Sequence, residues 1–394
     1  MQSALRHSTG QRYTAGVTLF LFLLVWSILG DLRAERGARG IPVGIFRVTP
    51  KLTAAYSFED NLLKTKDDKV SDSVVTLTPV VVVKTHWRKL AVTLTATSNI
   101  ARHLKREMEN YADKNVAVEL EMKPTKRLKL NVQGFIASNH SSRGAPDTGG
   151  QSTSEPPSTY TTFGGKAIAA YTLNKYRGQV TLSHDVDTQK DVGRYWQGIE
   201  FKLMHALGNK TNVSVNVGMN RHVYDDAALL RDGSEYKYGV GLALSPKAQI
   251  SGNIQVGQTF KTLDDNGALD ASAMTLSSSL TWKPAKRTNV TLNTSRGFNE
   301  GGTTGDYFIN TDASLSVRHS LRSFLSVNGS LGLSRSEHSI DQEDDTWTLS
   351  SGFAYQFPKW VSLNGSYTFT DKQSSAESSS YNSNQFMFSL AGGL

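Results

Sequence analysis

From Arg287 to Phe298 the chain reads RTNVTLNTSRGF. Thr288, Val290, Leu292, Thr294, Arg296 and Phe298 form one alternating set, which holds Val and Leu and ends in Phe. The set between them, Asn289, Thr291, Asn293 and Ser295, is wholly small and polar. A period of two is the mark of a β-strand, whose side chains point to opposite faces in turn. One such strand fits any half-buried sheet, so recurrence decides. From Phe46 onward, runs of about 10–14 residues repeat the device.

The apolar sets include Val116, Val118, Leu120 and Met122; Val213, Val215, Val217 and Met219; Tyr236, Tyr238, Val240, Leu242 and Leu244; Leu325, Val327, Leu331 and Leu333; and Phe386, Phe388 and Leu390. Compact, often basic turns such as KPTKRL, LNKYRG, KPAKRT and FPKW alternate with long polar loops such as NHSSRGAPDTGGQSTSEPPSTY. Eight short turns and about nine long loops give about eighteen strands, with sixteen as the alternative count. An even number of strands, with short turns on one side and long loops on the other, predicts an all-β, transmembrane, antiparallel up-and-down β-barrel. Short turns would face the periplasm and long loops the exterior of a Gram-negative outer membrane.

Length and content agree. A tilted bilayer crossing needs about 9–11 residues per strand, whereas strands of soluble proteins are commonly about 5–6 residues long. Aromatic residues gather at strand ends, among them Tyr56, Trp87, Tyr171, Trp282, Trp360 and Phe369, as interfacial girdles require. A composition of 38% hydrophobic residues over 394, with mean hydropathy −0.36, is too polar for a bundle of membrane helices. It suits a wall in which only alternate residues meet lipid. The net charge of +8 is scattered over the short turns, which argues against a nucleic-acid partner.

The N-terminus places Arg6 and Arg12 before the apolar run Ala15–Gly30, followed by Asp31, Arg33 and Ala34. Basic, then apolar, then small predicts a signal peptide over 1–34. A short periplasmic segment would occupy 35–45 and the barrel 46–394.

The stretch FRVTPKLTAAYSFEDNLL, the strand TLTPVVVV, the loop RGAPDTG, the Asp pairs and the terminal FMFSLAGGL resemble the "putative β-barrel porin 2" family over roughly Pro42 to Leu394. The resemblance implies an outer-membrane barrel of a kind often tied to exopolysaccharide production and export.

The polar sets predict the lumen. Asn131, Gln133, Gln179, Asn216, Asn253, Gln255, Asn293, Asn328 and Asn364 join many Ser and Thr as neutral donors and acceptors. Charge is expected locally, at Glu119, Glu121, Lys129, Lys166, Arg177, Glu200 and Lys202. Both signs occur there, so these residues form either a field that orients solute or ion pairs within the wall. Phe135 and Trp196 are the chief inward aromatics, and no markedly basic lining is expected. Eighteen strands at about 4.8 Å spacing and about 40° tilt give a backbone diameter of roughly 36 Å, too wide for wall side chains to fill. The His140–Tyr160 loop is the candidate constriction or lid, with a floppy surface loop as the alternative.

No enzyme, cofactor or metal is expected. His184, His205, His222 and His319 lack ligand spacing, there is no cysteine, and the Asp pairs 67–68, 225–226, 264–265 and 344–345 read as loop charge. Three functions stay open: a passive conduit secreting an exopolysaccharide, a general diffusion porin for small hydrophilic solutes, and a structural or adhesive barrel. The expected partners are outer-membrane lipid and lipopolysaccharide, the barrel assembly machinery, periplasmic polysaccharide-export proteins, and the polysaccharide or small solute itself.

Overall fold

The computed structural model describes residues 40–85, 87, 89–144, 154–189, 193–226, 231–245, 249–264, 270–300, 307–357 and 360–393. The signal peptide expected over 1–34 lies outside them. The strands are β1 (Ile41–Val43), β2 (Phe46–Glu59), β3 (Asp72–Thr85), β4 (Leu90–His103), β5 (Tyr111–Met122), β6 (Leu128–His140), β7 (Thr159–Leu173), β8 (Tyr176–Asp187), β9 (Arg194–Ala206) and β10 (Thr211–Tyr224). Then follow β11 (Gly233–Leu244), β12 (Ile250–Leu263), β13 (Ala271–Ala285), β14 (Thr288–Glu300), β15 (Tyr307–Ser320), β16 (Leu325–His338), β17 (Glu343–Gln356), β18 (Val361–Ser374) and β19 (Tyr381–Gly393).

Strands β2 to β19 each pair antiparallel with their sequence neighbours. The ring closes where Gly393 pairs with Lys51 and Gln385 with Glu59. This is the predicted closed barrel of eighteen strands. Closure matters because hydrocarbon offers no partner to a free N–H or C=O. No helix among the described residues is long and apolar enough to cross a membrane; the crossing is made by strands.

β19 stops at Gly393 and leaves the first residues of β2 without a partner on that edge. β1 supplies one, with Ile41 opposite Val48 and Val43 opposite Phe46. The reversal uses Gly44 at φ +58°, where a two-residue hairpin favours glycine at its first central position. The segment expected as a plain periplasmic leader over 35–45 therefore includes, at 41–43, a strand that patches the barrel seam. This was not visible in the sequence, because three residues are too few to show alternation.

Cross-strand partners share a face, so the inward set can be followed around the ring. Thr93 faces Glu119, Glu121 faces Asn131, Gln133 faces Lys166, and Gln179 faces Lys202. Lys202 faces Asn216, Ser279 faces Asn293, Arg318 faces Asn328, and Ala354 faces Asn364. The other face is mainly apolar over the middle of the strands. The described residues form almost no hydrophobic core: nine apolar residues among them are buried, five of them alanine. Large side chains such as Val215, Val240, Leu331, Leu349 and Phe388 are exposed. On β17 the outward aromatics Trp347 and Tyr355, with Phe357 just beyond the strand, bracket the wall. Ten residues span about 34 Å along a strand, or about 26 Å along the axis at the usual tilt, close to the apolar band of about 25 Å that such barrels show.

Two expectations need correction. Asp344–Asp345 is not loop charge, because β17 begins at Glu343. Asp344 is buried and bonds Lys372 at 2.9 Å, while Asp345 faces outward opposite Arg335. The run SEHSIDQEDD, whose polarity predicts a long loop, is mostly strand, with only 339–342 connecting β16 and β17. Charged residues hid the alternation there because this part of the wall stands beyond the apolar belt. The same height accounts for the outward Arg296, which donates to Glu337 at 3.0 Å.

Candidate functional site

The sixteen residues expected in the lining share one face of the sheet, opposite the face that carries the exposed apolar side chains. Their surroundings differ by sector. Over the middle of β12 to β19 the wall is a lattice of neutral groups. Gln255 donates to Asn216 at 2.9 Å, Ser279 to Asn293 at 2.8 Å, and Asn364 to Ser389 at 3.3 Å, while Ser350 and Thr368 lie 3.1 Å apart. Asn253, Asn293, Asn328 and Asn364 belong to this sector. On β5 and β6, Asn131 donates to Glu119 at 2.6 Å. Glu121 is bracketed by Lys123 at 2.7 Å and Lys129 at 2.8 Å. Among the described residues, Lys166, Glu200 and Lys202 make no ion pair within 4.0 Å. The wall-pair reading thus fits Glu121 and Lys129, and the field reading fits the others.

The inward charges are graded along the axis. Toward the short-turn end lie Arg47, Lys51, Lys84, Lys129, Arg177, Lys202 and Arg318, against Glu119 and Glu121. Toward the loop end lie Glu59, Asp72, Asp113, Asp187, Glu235, Asp312 and Asp344, several of them buried, against Arg194, Lys237, Lys261 and Lys372. The expectation of no basic lining is therefore wrong for the periplasmic third. Averaged over both ends the polar sets are nearly neutral, which conceals the gradient in the sequence. The inward aromatics were also undercounted, since Tyr111, Tyr224, Phe308 and Tyr381 join Phe135 and Trp196. They sit near strand ends, where a short run cannot fix parity.

At the loop end, the segment after β6 folds over the mouth. Ser141 N–H donates to Ser158 O at 2.8 Å, which closes the base of the loop. Arg143 then reaches Glu109, in the short turn Glu107–Glu109 between β4 and β5, with contacts of 2.7 and 3.2 Å. Both side chains are under a tenth exposed. Gly144, at φ +76°, lies so close to Lys64 and Tyr381 that a Cβ there would meet each at 3.1 Å. The segment therefore spans from β6 to the β19 side of the mouth. Beneath it lies a cavity of about 540 Å³ lined by Thr53, Thr78, Asn99, Tyr111, His140 and Gln385 among others. Tyr111 and His140 stack at 3.7 Å between centroids, and the His140 ring nitrogen lies 3.0 Å from Asp113. The middle of the candidate loop, 145–153, lies outside the described residues.

One cluster was missed in the sequence. His222, Glu235 and Glu300 come from β10, β11 and β14 and bring their polar atoms within 4.8 Å of one another. Lys261 lies 2.5 Å from Glu300, and the Tyr224 hydroxyl donates to Glu300 at 2.6 Å. The ammonium already neutralises the carboxylate that a cation would use, so the cluster works as a wall tie across four strands. Nearby, hydrogen bonding and charge from Arg221 hold the loop carboxyl of Asp264 below its usual range.

The fold compares with several solved outer-membrane proteins. OpdL of Pseudomonas aeruginosa matches with TM-score 0.50 at 12% identity, covering 89% of this chain and 99% of that one. A BenF-like porin from Pseudomonas fluorescens Pf-5 matches with TM-score 0.51 at 9% identity over 89% and 99%. OccK2 (OpdF) of Pseudomonas aeruginosa matches with TM-score 0.51 at 8% identity over 89% and 98%. At such identities the likeness shows the fold alone. No curated protein sequence matches. The family model described as "Putative beta-barrel porin 2" matches residues 34–392. That match spans the seam strand and all eighteen staves of the wall, and the chain belongs to this family of outer-membrane β-barrel channels of Gram-negative bacteria.

Proposed function

We propose that the protein is a passive, non-enzymatic conduit through which a carbohydrate polymer leaves the cell. The observation that carries this reading is the neutral lattice of Ser, Thr and Asn from β12 to β19. Such groups both donate and accept, so sugar hydroxyls can exchange partners along the middle of the wall, between its charged ends. A lumen roughly 36 Å across at the backbone leaves room for an extended chain. The proposed partners are periplasmic export proteins that deliver the polymer, lipopolysaccharide around the rim, and the assembly machinery that inserts the barrel.

The segment 141–144 across the mouth favours a second reading, a diffusion porin for small hydrophilic solutes. The two readings separate in liposomes and in cells. The conduit reading expects slow swelling with monosaccharides while the mouth stays covered, and a deletion strain that retains its extracellular polymer in the periplasm. Rapid swelling with mono- and disaccharides, together with normal export in the deletion strain, would establish the porin instead.

A further inference from the structure

We infer that the periplasmic mouth carries a capture site for an acidic carbohydrate, one bearing carboxylate or phosphate groups. The site is a basin of about 670 Å³ at the short-turn end, over the turn between β5 and β6. Six cations line it: Lys89, Lys123, Lys126, Arg127, Lys129 and Arg177. No carboxylate does. The nearest is Glu121, which already bonds Lys123 and Lys129, so one negative charge stands against six positive ones.

The basin belongs to the lumen rather than to the lipid face. Lys129, Ala170, Thr172 and Arg177 line it, and all share the inward parity. Its frame is fixed. The Thr125 hydroxyl accepts from the Arg127 and Leu128 amides at 3.2 and 3.0 Å, a local bond that holds a turn in shape. Lys123 N–H donates to Lys89 O and Thr172 N–H to Arg127 O, both at 2.9 Å, which ties the turn to its two neighbours. Lys123 and Lys129 remain about half exposed, so their ammonium groups keep donors for a ligand.

Like charges held this closely repel one another, and an anion from the periplasm relieves that repulsion. Arginine and lysine differ in what they add: the guanidinium grips a carboxylate or phosphate through two bonds, whereas the ammonium acts as a point charge. Beyond the basin the neutral lattice begins, so the chain end is held by its charge at entry and slides by its hydroxyls afterwards. The direction of travel rests on the conduit reading, but anion capture does not.

A close sequence match provides the control. Lys123–Arg127 reads KPTKR and Lys283–Arg287 reads KPAKR, but the second turn does not line this basin, and Arg287 donates to Leu321 O at 3.4 Å. The test uses the full-length channel in planar bilayers, with trigalacturonate, maltotriose or inorganic tripolyphosphate added to one side at a time. Trigalacturonate is expected to interrupt current from one side only, at concentrations where maltotriose does nothing, and raising the salt should weaken the block. Interruption by tripolyphosphate as well would widen the ligand class to phosphate and still support the site. The triple variant K126Q/R127Q/R177Q should raise the half-blocking concentration about tenfold, with K286Q/R287Q unchanged. Unaltered heat-modifiable migration shows that each variant has folded. Equal block by the neutral sugar, or a triple variant that blocks as the native channel does, would overturn the proposal. A normal export phenotype in a deletion strain would remove the conduit reading and leave this site standing.

Discussion

Leu331→Arg is expected to lower the stability of the folded barrel by about 2–4 kcal/mol, the cost of a cationic side chain at mid-membrane on the lipid face. Ser330→Arg, one residue earlier, should stay within about 0.5 kcal/mol of the native protein. Leu331 sits opposite Leu315 and Leu349, well inside the apolar belt, while Ser330 sits opposite Ser316 and Ser350 on the water side. Urea titration of the barrel in vesicles reads both values. Similar losses for the two variants would mean that the wall does not separate lipid from water at this height.

The second large effect concerns the segment over the mouth. Arg143 and Glu109 are both buried, and removing one partner of such a pair leaves an uncompensated charge at a cost of about 3–5 kcal/mol. The barrel closes without this contact, so the penalty falls on the docked position of the loop rather than on the wall. Arg143→Ala should therefore release residues 141–144 and raise single-channel conductance severalfold, with the urea midpoint almost unchanged. Glu109→Gln should do the same to a lesser extent, since an amide can still accept from the guanidinium. Unchanged conductance in Arg143→Ala would show that the segment does not limit flow.

Much of this architecture is legible in the alternation. Val290 and Leu292 against Asn289 and Asn293 already define two faces, and the register of β14 with β13 and β15 keeps them apart. The polar lining follows from the same rule, because a period-two pattern fixes the opposite face once one face is known. What stayed hidden has three physical causes. Beyond the belt the outward face is also wet, so Arg335 and Asp345 look like loop residues although they stand on strands. A three-residue strand such as Ile41–Val43 has no period to read. Proximity across strands is set by tilt and stagger, so neither the meeting of His222 with Glu300 nor the reach of Arg143 to Glu109 follows from spacing. The basic basin escaped for that reason too: Lys89, Arg127 and Arg177 are far apart in sequence, and each sits in or beside a turn of ordinary appearance.

The chain contains no cysteine, so single cysteines can be placed along β16 without background. The most direct test of the wall is the reaction of each, from Ser326 to Leu333, with a charged, membrane-impermeant thiol reagent. Ser326, Asn328, Ser330 and Gly332 should react from the water-filled lumen, and Val327, Gly329, Leu331 and Leu333 should stay silent inside lipid. Uniform reaction along the strand, or reaction at the second set alone, would contradict a barrel that faces lipid and water with alternate residues.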